Sequence, residues 1–164
     1  MKLLLVRHAA AVPRGTPGIP DDERPLTPTG KAKFTVAAKG LARIAHRPDV
    51  LLTSPLPRAR ATAEIAARAF RRIEPTIEPA LAHESLDGIV AVLGTHPADA
   101  TVAVVGHEPT LSALLARLLG SAHGERLAFK KGGAALVDLP DGPSAGGLLI
   151  WFLKPKVLRA LAGD

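Results

Sequence analysis

The chain has 164 residues, the usual size of one domain and long enough to bury a substantial core. Apolar residues make up 47% and charged residues 22%, which excludes the composition of a disordered chain. A formal net charge of +6 favours an anionic partner, and the absence of cysteine excludes disulfides, thiolate-held metals and thiol catalysis. With four Phe, one Trp and no Tyr there is little material for stacking bases, and the basic residues are scattered. Nucleic acid is therefore not the expected partner. The apolar start, Met1 to Val6, is too short for a signal-peptide core and is closed at once by Arg7. The later run Leu148 to Leu153 is about a third of the ~20 residues a membrane-spanning helix needs. No membrane association is expected, and a cytoplasmic location is.

In chain order, β-like runs at Lys2 to Val6, Val50 to Thr53 and Thr101 to Val105 alternate with helix-period segments. The first such segment carries Phe34, Ala37, Ala38, Leu41 and Ile44, and the second Thr62, Ile65, Ala66 and Ala69. The third repeats the pattern more cleanly with Leu111, Leu114, Leu115, Leu118 and Leu119. The pattern predicts three strand–helix units. Between the first strand and first helix, Pro13, Pro17, Pro20, Pro25 and Pro28 with Gly15 and Gly18 rule out a regular element, so Ala10 to Pro28 reads as a long loop. Thr27 is the predicted N-cap and Pro28 the first helical residue. Ala134 to Leu139 and Leu148 to Leu153, separated by a Gly/Pro-rich connector, predict an antiparallel hairpin, and a last helix is expected over Lys156 to Ala162. The expected architecture is one α/β domain over residues 1–164. It is a three-layer α/β/α sandwich with a mostly parallel central sheet and a late antiparallel hairpin.

Ligands of open α/β sheets bind outside the carboxyl ends of the strands, so the residues just after each run are the first candidates for a site. The first run ends in Arg7-His8, the second leads into Thr53-Ser54-Pro55-Leu56-Pro57-Arg58, and the third ends in Gly106-His107-Glu108. Two arginines and two histidines thus converge on one sheet edge. That set suits phosphoryl transfer, because guanidinium forks match phosphate oxygens bidentately. A histidine attacks phosphorus when one ring nitrogen is unprotonated and a backbone carbonyl, for example, holds the other as a donor. If protonated, the second histidine adds a third positive donor. Helix N-termini near Pro57 and Pro109 would bring further N–H groups. Taken singly, each residue also has a structural reading, and His46, His83, His96 and His123 are assigned only that.

Four segments carry a family resemblance. They are Arg7-His8-Ala9, Arg24-Pro25-Leu26-Thr27-Pro28-Thr29-Gly30, the stretch Thr53 to Ala63, and Val104-Val105-Gly106-His107-Glu108-Pro109. In order and spacing the chain resembles the histidine phosphatase superfamily. The short chain, without a large inserted cap, is most similar to the SixA-like phosphohistidine phosphatase branch. The resemblance implies that Arg7, His8, Arg58 and His107 form the phosphate pocket, with His8 as nucleophile and no cofactor or metal. The expected partner is a histidine-phosphorylated signalling or phosphocarrier protein, or a small phosphate. Two departures stand out. Ala9 replaces the usual glycine of the triplet. Many members also supply a carboxylate proton donor, for which this chain offers Glu84 and Asp87, and Glu84 is the expected acid. Either residue could instead cap the helix after it.

Other readings are a small-molecule phosphatase or mutase of the same fold, a module that recognises phosphate without turnover, and a metal hydrolase. No insertion is long enough to enclose a metabolite, and the histidines lack close ligand spacing.

Overall fold

The computed structural model describes residues 1–82 and 85–163. Its strands are β1 (Lys2–Arg7), β2 (Val50–Thr53), β3 (Pro75–Ile77), β4 (Thr101–Gly106), β5 (Ala134–Asp138) and β6 (Leu148–Leu153). The α-helices are α1 (Pro28–Ile44), α2 (Pro57–Ala69), α3 (Leu86–Gly94), α4 (Thr110–Leu118) and α5 (Pro155–Leu161). The strands form one sheet in the order β3-β2-β4-β1-β5-β6. β1 to β4 run parallel, β5 and β6 form the antiparallel hairpin the sequence predicted, and β5 also pairs antiparallel with β1.

Side-chain alternation along the strands divides the core into two layers. Leu4, Val6, Ala103 and Val105 face α1, α2 and α5, where Phe34, Leu41, Ala63 and Leu158 are buried. Leu3, Leu5, Val102 and Val104 face α3 and α4, where Ile89, Leu93, Leu111, Leu114, Leu115 and Leu118 are buried. Each fully buried leucine contributes about 1.5–3 kcal/mol relative to exposure, so the helix-period leucines of α4 anchor that layer. Thr27 caps α1 through its side-chain oxygen, which accepts from the Gly30 N–H at 2.9 Å, and Pro28 takes the first helical position as predicted. Gly30 also permits a close approach, because a Cβ there would lie 2.1 Å from the carbonyl oxygen of Ala10. This fixes the start of α1 against the chain just beyond β1.

The sequence reading found three of the four strand–helix units and missed β3–α3. β3 has only three residues, begins with a proline, occupies the sheet edge and is largely exposed, so it carries no alternation to read. The loop over residues 10–28 is irregular as expected, apart from one 3-10 turn at Asp21–Glu23 and a single bridge between Ala11 and Leu26. No helix among the described residues is long and apolar enough to cross a membrane.

Candidate active site

Strand register builds the centre of the site. Arg7 of β1 pairs with Gly106 of β4, so the next residues, His8 and His107, leave the sheet side by side. The His8 N–H donates to the Gly106 carbonyl at 3.0 Å, and the two imidazole centroids are 5.1 Å apart. On the other side of β4, Thr53 pairs with Val105, which places Ser54 beside the same strand end. Its hydroxyl lies 2.8 Å from His107 Nε2. Arg58 comes directly after Pro57 in the first turn of α2, a helix whose N-terminus has no side-chain cap. The four predicted residues Arg7, His8, Arg58 and His107 therefore line one cavity of about 300 Å³.

His8 Nδ1 is 2.7 Å from the carbonyl oxygen of Ala9. A carbonyl only accepts, so this nitrogen carries the proton and Nε2 is left as the basic lone pair of a neutral ring. Burial, with Arg58, Arg7 and Lys131 nearby, pushes the His8 pKa down to about 4 despite the bond to Ala9. Burial pushes His107 lower still, to about 3, with the charges of His8, Arg58, Arg24 and Arg7 acting in the same sense. Burial thus favours the neutral ring of His107 at pH 7 over the protonated form that would make it a third positive donor. It can still donate one hydrogen bond as a neutral ring. Burial also works against the charge of Arg7 and of Arg58, and Glu108 beside Arg7 offsets part of this.

Buried polar atoms are almost always paired, so exceptions are informative. Among the described residues, the buried side-chain nitrogens and oxygens without a partner are Arg7 Nε, Arg58 Nε and His107 Nδ1. All three belong to the predicted cluster. Ala9, in place of the family glycine, takes no left-handed backbone conformation, so its methyl group imposes no strain. Its N–H is held by Thr62 Oγ1 at 3.0 Å.

The rim comes from Glu108, named at the third strand end, and from Arg14, Arg24 and Lys131, which strand-end reasoning missed. Asp21 ties the Pro-rich loop to this rim. Its carboxylate accepts from Arg14 Nε at 2.8 Å and from Arg24 Nε at 2.9 Å, and its carbonyl accepts from Arg58 Nη1 at 2.8 Å. The bond from Arg14, with Arg24 beside it, holds the Asp21 carboxyl below its usual range. Arg24 stood in the quoted Arg24-Pro25-Leu26-Thr27 segment, but its burial is seen only in the structure.

The expected acid, Glu84, and also His83 lie outside the described residues. Asp87 is exposed and pairs with Arg117 at 2.6 Å, away from the cavity, while the N-cap of α3 is Ser85 and neither acid. His123 pairs with Glu125 on the surface at 3.1 Å, and neither His46 nor His96 lines the cavity.

Comparison with known proteins gives the family and the fold. The family model for the histidine phosphatase superfamily (branch 1) matches residues 3–85. An uncharacterized protein of a Picosynechococcus strain is 35% identical over 145 residues, covering 87% of this chain and 86% of the relative. The crystal structure of a protein assigned as phosphohistidine phosphatase SixA from Agrobacterium tumefaciens superimposes with a TM-score of 0.79. It is 28% identical and covers 94% of this chain and 97% of that one. The fold alone is shared with a protein assigned as an α-ribazole-5′-phosphate phosphatase from Escherichia coli. That match has a TM-score of 0.78 at 20% identity, covering 94% and 98% of the two chains. With both histidines and both arginines of its sequence motifs gathered on one sheet edge, the chain belongs to the histidine phosphatase superfamily.

Proposed function

We propose that the chain is a phosphatase that hydrolyses phosphohistidine on a protein, through a phosphoryl intermediate on His8. The observation that carries this reading is the 2.7 Å contact between His8 Nδ1 and the Ala9 carbonyl, which fixes the tautomer with Nε2 as a free nucleophile. Nε2 attacks phosphorus, and the substrate's P–N bond breaks as the new one forms. The substrate imidazole takes the electron pair, with its other nitrogen already protonated. Water then attacks phosphorus, the bond to His8 breaks, and inorganic phosphate leaves with the proton balance restored. Arg7 and Arg58 hold the phosphoryl oxygens, and His107 donates a neutral hydrogen bond to them. No metal is called for in this scheme.

Leaving-group chemistry supports the substrate class. An alkoxide needs a proton as it departs, whereas imidazole has a reference pKa near ~6.5 and departs readily as a neutral ring. The carboxylate of Glu108 accepts from the Phe129 N–H at 2.8 Å and from the Ser112 hydroxyl at 2.6 Å, so both its oxygens are engaged within the fold. The likeness to the SixA protein of Agrobacterium tumefaciens points the same way. Glu84 is the proposed acid for any ester substrate. The test compares kcat/KM for a phosphohistidine-bearing protein, a phosphoserine peptide and a sugar phosphate, before and after Glu84→Gln. Phosphohistidine should be preferred and insensitive to the substitution. A sugar phosphate turned over best, and lost selectively in Glu84→Gln, would identify a small-molecule phosphatase instead.

A further inference from the structure

One turn of backbone reaches the site from beyond the strand ends, and it is pinned by the residues it approaches. Phe129 is buried and packs on Phe152. Its carbonyl accepts from Arg7 Nη1, and its N–H donates to Glu108 Oε1, so Arg7 and Glu108 grip the two sides of one residue. Three residues later the Gly132 N–H is shared between the carbonyls of Arg7 and His8, at 3.1 and 3.0 Å. The Gly133 N–H closes on the Lys130 carbonyl at 2.7 Å, and Gly132 has φ 78°, the left-handed value that the third residue of such a turn requires. Lys131 stands at the corner. It lines the cavity, its charge is near enough to lower the pKa of His8, and it has no carboxylate partner among the described residues.

A turn hydrogen-bonded to the backbone of the nucleophile, yet ending in an unpaired ammonium at the cavity, is built for a ligand. We propose that Lys131 contacts the phosphoryl oxygens of the bound substrate as a fourth group beside Arg7, Arg58 and His107, while His8 attacks phosphorus. Glu108, by holding the Phe129 N–H, is the positioning residue that keeps Lys131 there. The inference rests on the phosphatase reading and deepens it. The two guanidiniums are fixed forks, whereas a lysine is a compact charge on a flexible stem. It can track the phosphoryl group as its bond moves from the substrate nitrogen to His8.

The test measures two quantities, orthovanadate affinity by calorimetry and kcat/KM on a phosphohistidine peptide. It uses wild type, Lys131→Met, Lys130→Met, Glu108→Met and the Lys131→Met/Glu108→Met double variant. Loss of one charge-assisted contact should weaken vanadate binding and lower kcat/KM about tenfold or more in Lys131→Met. Lys130, exposed and absent from the cavity lining, should change either by less than twofold when replaced. Glu108→Met, which leaves the Phe129 N–H without its acceptor, should show an intermediate loss that largely disappears in the Lys131→Met background, and fully additive losses would overturn the positioning role. Unchanged vanadate affinity in Lys131→Met would overturn the contact itself, whether or not Glu108→Met folds. A wild type that binds vanadate but leaves the peptide intact would overturn the phosphatase reading, with the Lys131 contact still decided by binding. Absence of vanadate binding to wild type would overturn both.

Discussion

Two clefts of similar size lie at different places in this molecule, and both are rich in arginine. The one at the strand ends measures about 300 Å³ and holds Arg7, Arg14, Arg24 and Arg58. The other measures about 330 Å³ and holds Arg43, Arg47 and Arg71 with His46. They differ in what the arginines face. At the strand ends the neighbouring helix termini are the N-termini of α2 and α4, and the guanidinium nitrogens Arg7 Nε and Arg58 Nε are buried without partners. The second cleft is formed by the last turns of α1 and α2, where carbonyls are the exposed groups, and Arg43 donates to the Leu161 carbonyl at the end of α5. Cations there complement helix C-termini, whereas at the strand ends, where Arg14 and Arg24 pair with Asp21, Arg7 and Arg58 keep buried nitrogens for an external anion. Net charge does not distinguish the two clefts; the direction of the helices does.

The sharpest way to break this comparison is to remove the nucleophile. His8→Ala should abolish turnover and eliminate the acid-labile phosphoryl adduct trapped by quenching with labelled substrate; retained activity would exclude His8 from the chemistry. Arg58→Lys keeps the charge and loses the fork, so a fall of about 10²-fold in kcat/KM is expected. Arg47→Lys in the second cleft should leave kcat/KM within twofold. Equal sensitivity of the two positions in steady-state assays would erase the distinction drawn between the clefts.

That distinction was only partly legible in the sequence. Arg7, His8, Arg58 and His107 were visible because each lies at a strand end or opens a helix, and parallel register turns that sequence position into spatial proximity. Arg24 and Lys131 were not, because their places depend on side-chain bonds within an irregular loop and on a turn stitched to β1 from more than a hundred residues away. The layers of the fold were legible from the leucine period of α4 and the apolar runs of β1 and β4. β3 was not, being a three-residue edge strand whose pairing with β2 is set by its neighbours more than by its own pattern.

A smaller effect tests burial at the site. The folded state depresses His8 to about 4 and His107 to about 3, from 6.5, mainly because both are buried. Above pH 6.5 both rings are neutral folded or unfolded, and this part of the stability is complete. As pH falls from 6.5 toward 4, the unfolded chain binds protons that the folded chain refuses, so stability is lost on acidification. The loss should be on the order of 2 kcal/mol per histidine at pH 5, read from urea unfolding at pH 7 and pH 5. His8→Gln should remove roughly half of that pH dependence; an unaltered dependence would show that the ring is not held neutral. By the same shift, the acid limb of kcat/KM attributable to His8 should fall near pH 4.

The smallest effect expected concerns the second cleft and tests whether its arginines have a task beyond capping. Arg71 and Arg72 both have φ 61°, in the left-handed region, and they are the only non-glycine residues to do so among those described. They close α2 in a C-terminal turn, with the Arg72 N–H donating to the Ala67 carbonyl at 2.8 Å. At such a position an L residue brings its Cβ against the next carbonyl at about 1–2 kcal/mol, and glycine avoids this while giving up some unfolded-chain entropy. The net outcome for Arg71→Gly is a gain of up to about 1 kcal/mol in unfolding free energy, with kcat/KM unchanged. Arg71 would then be a tolerated cation beside a helix terminus, as the comparison of the two clefts requires. If Arg71→Gly stabilises the fold yet weakens turnover of a phosphorylated protein but not of a small phosphoramidate, the second cleft engages the partner protein. The strain at Arg71 would then be retained for docking, and helix direction would no longer suffice to tell the two clefts apart.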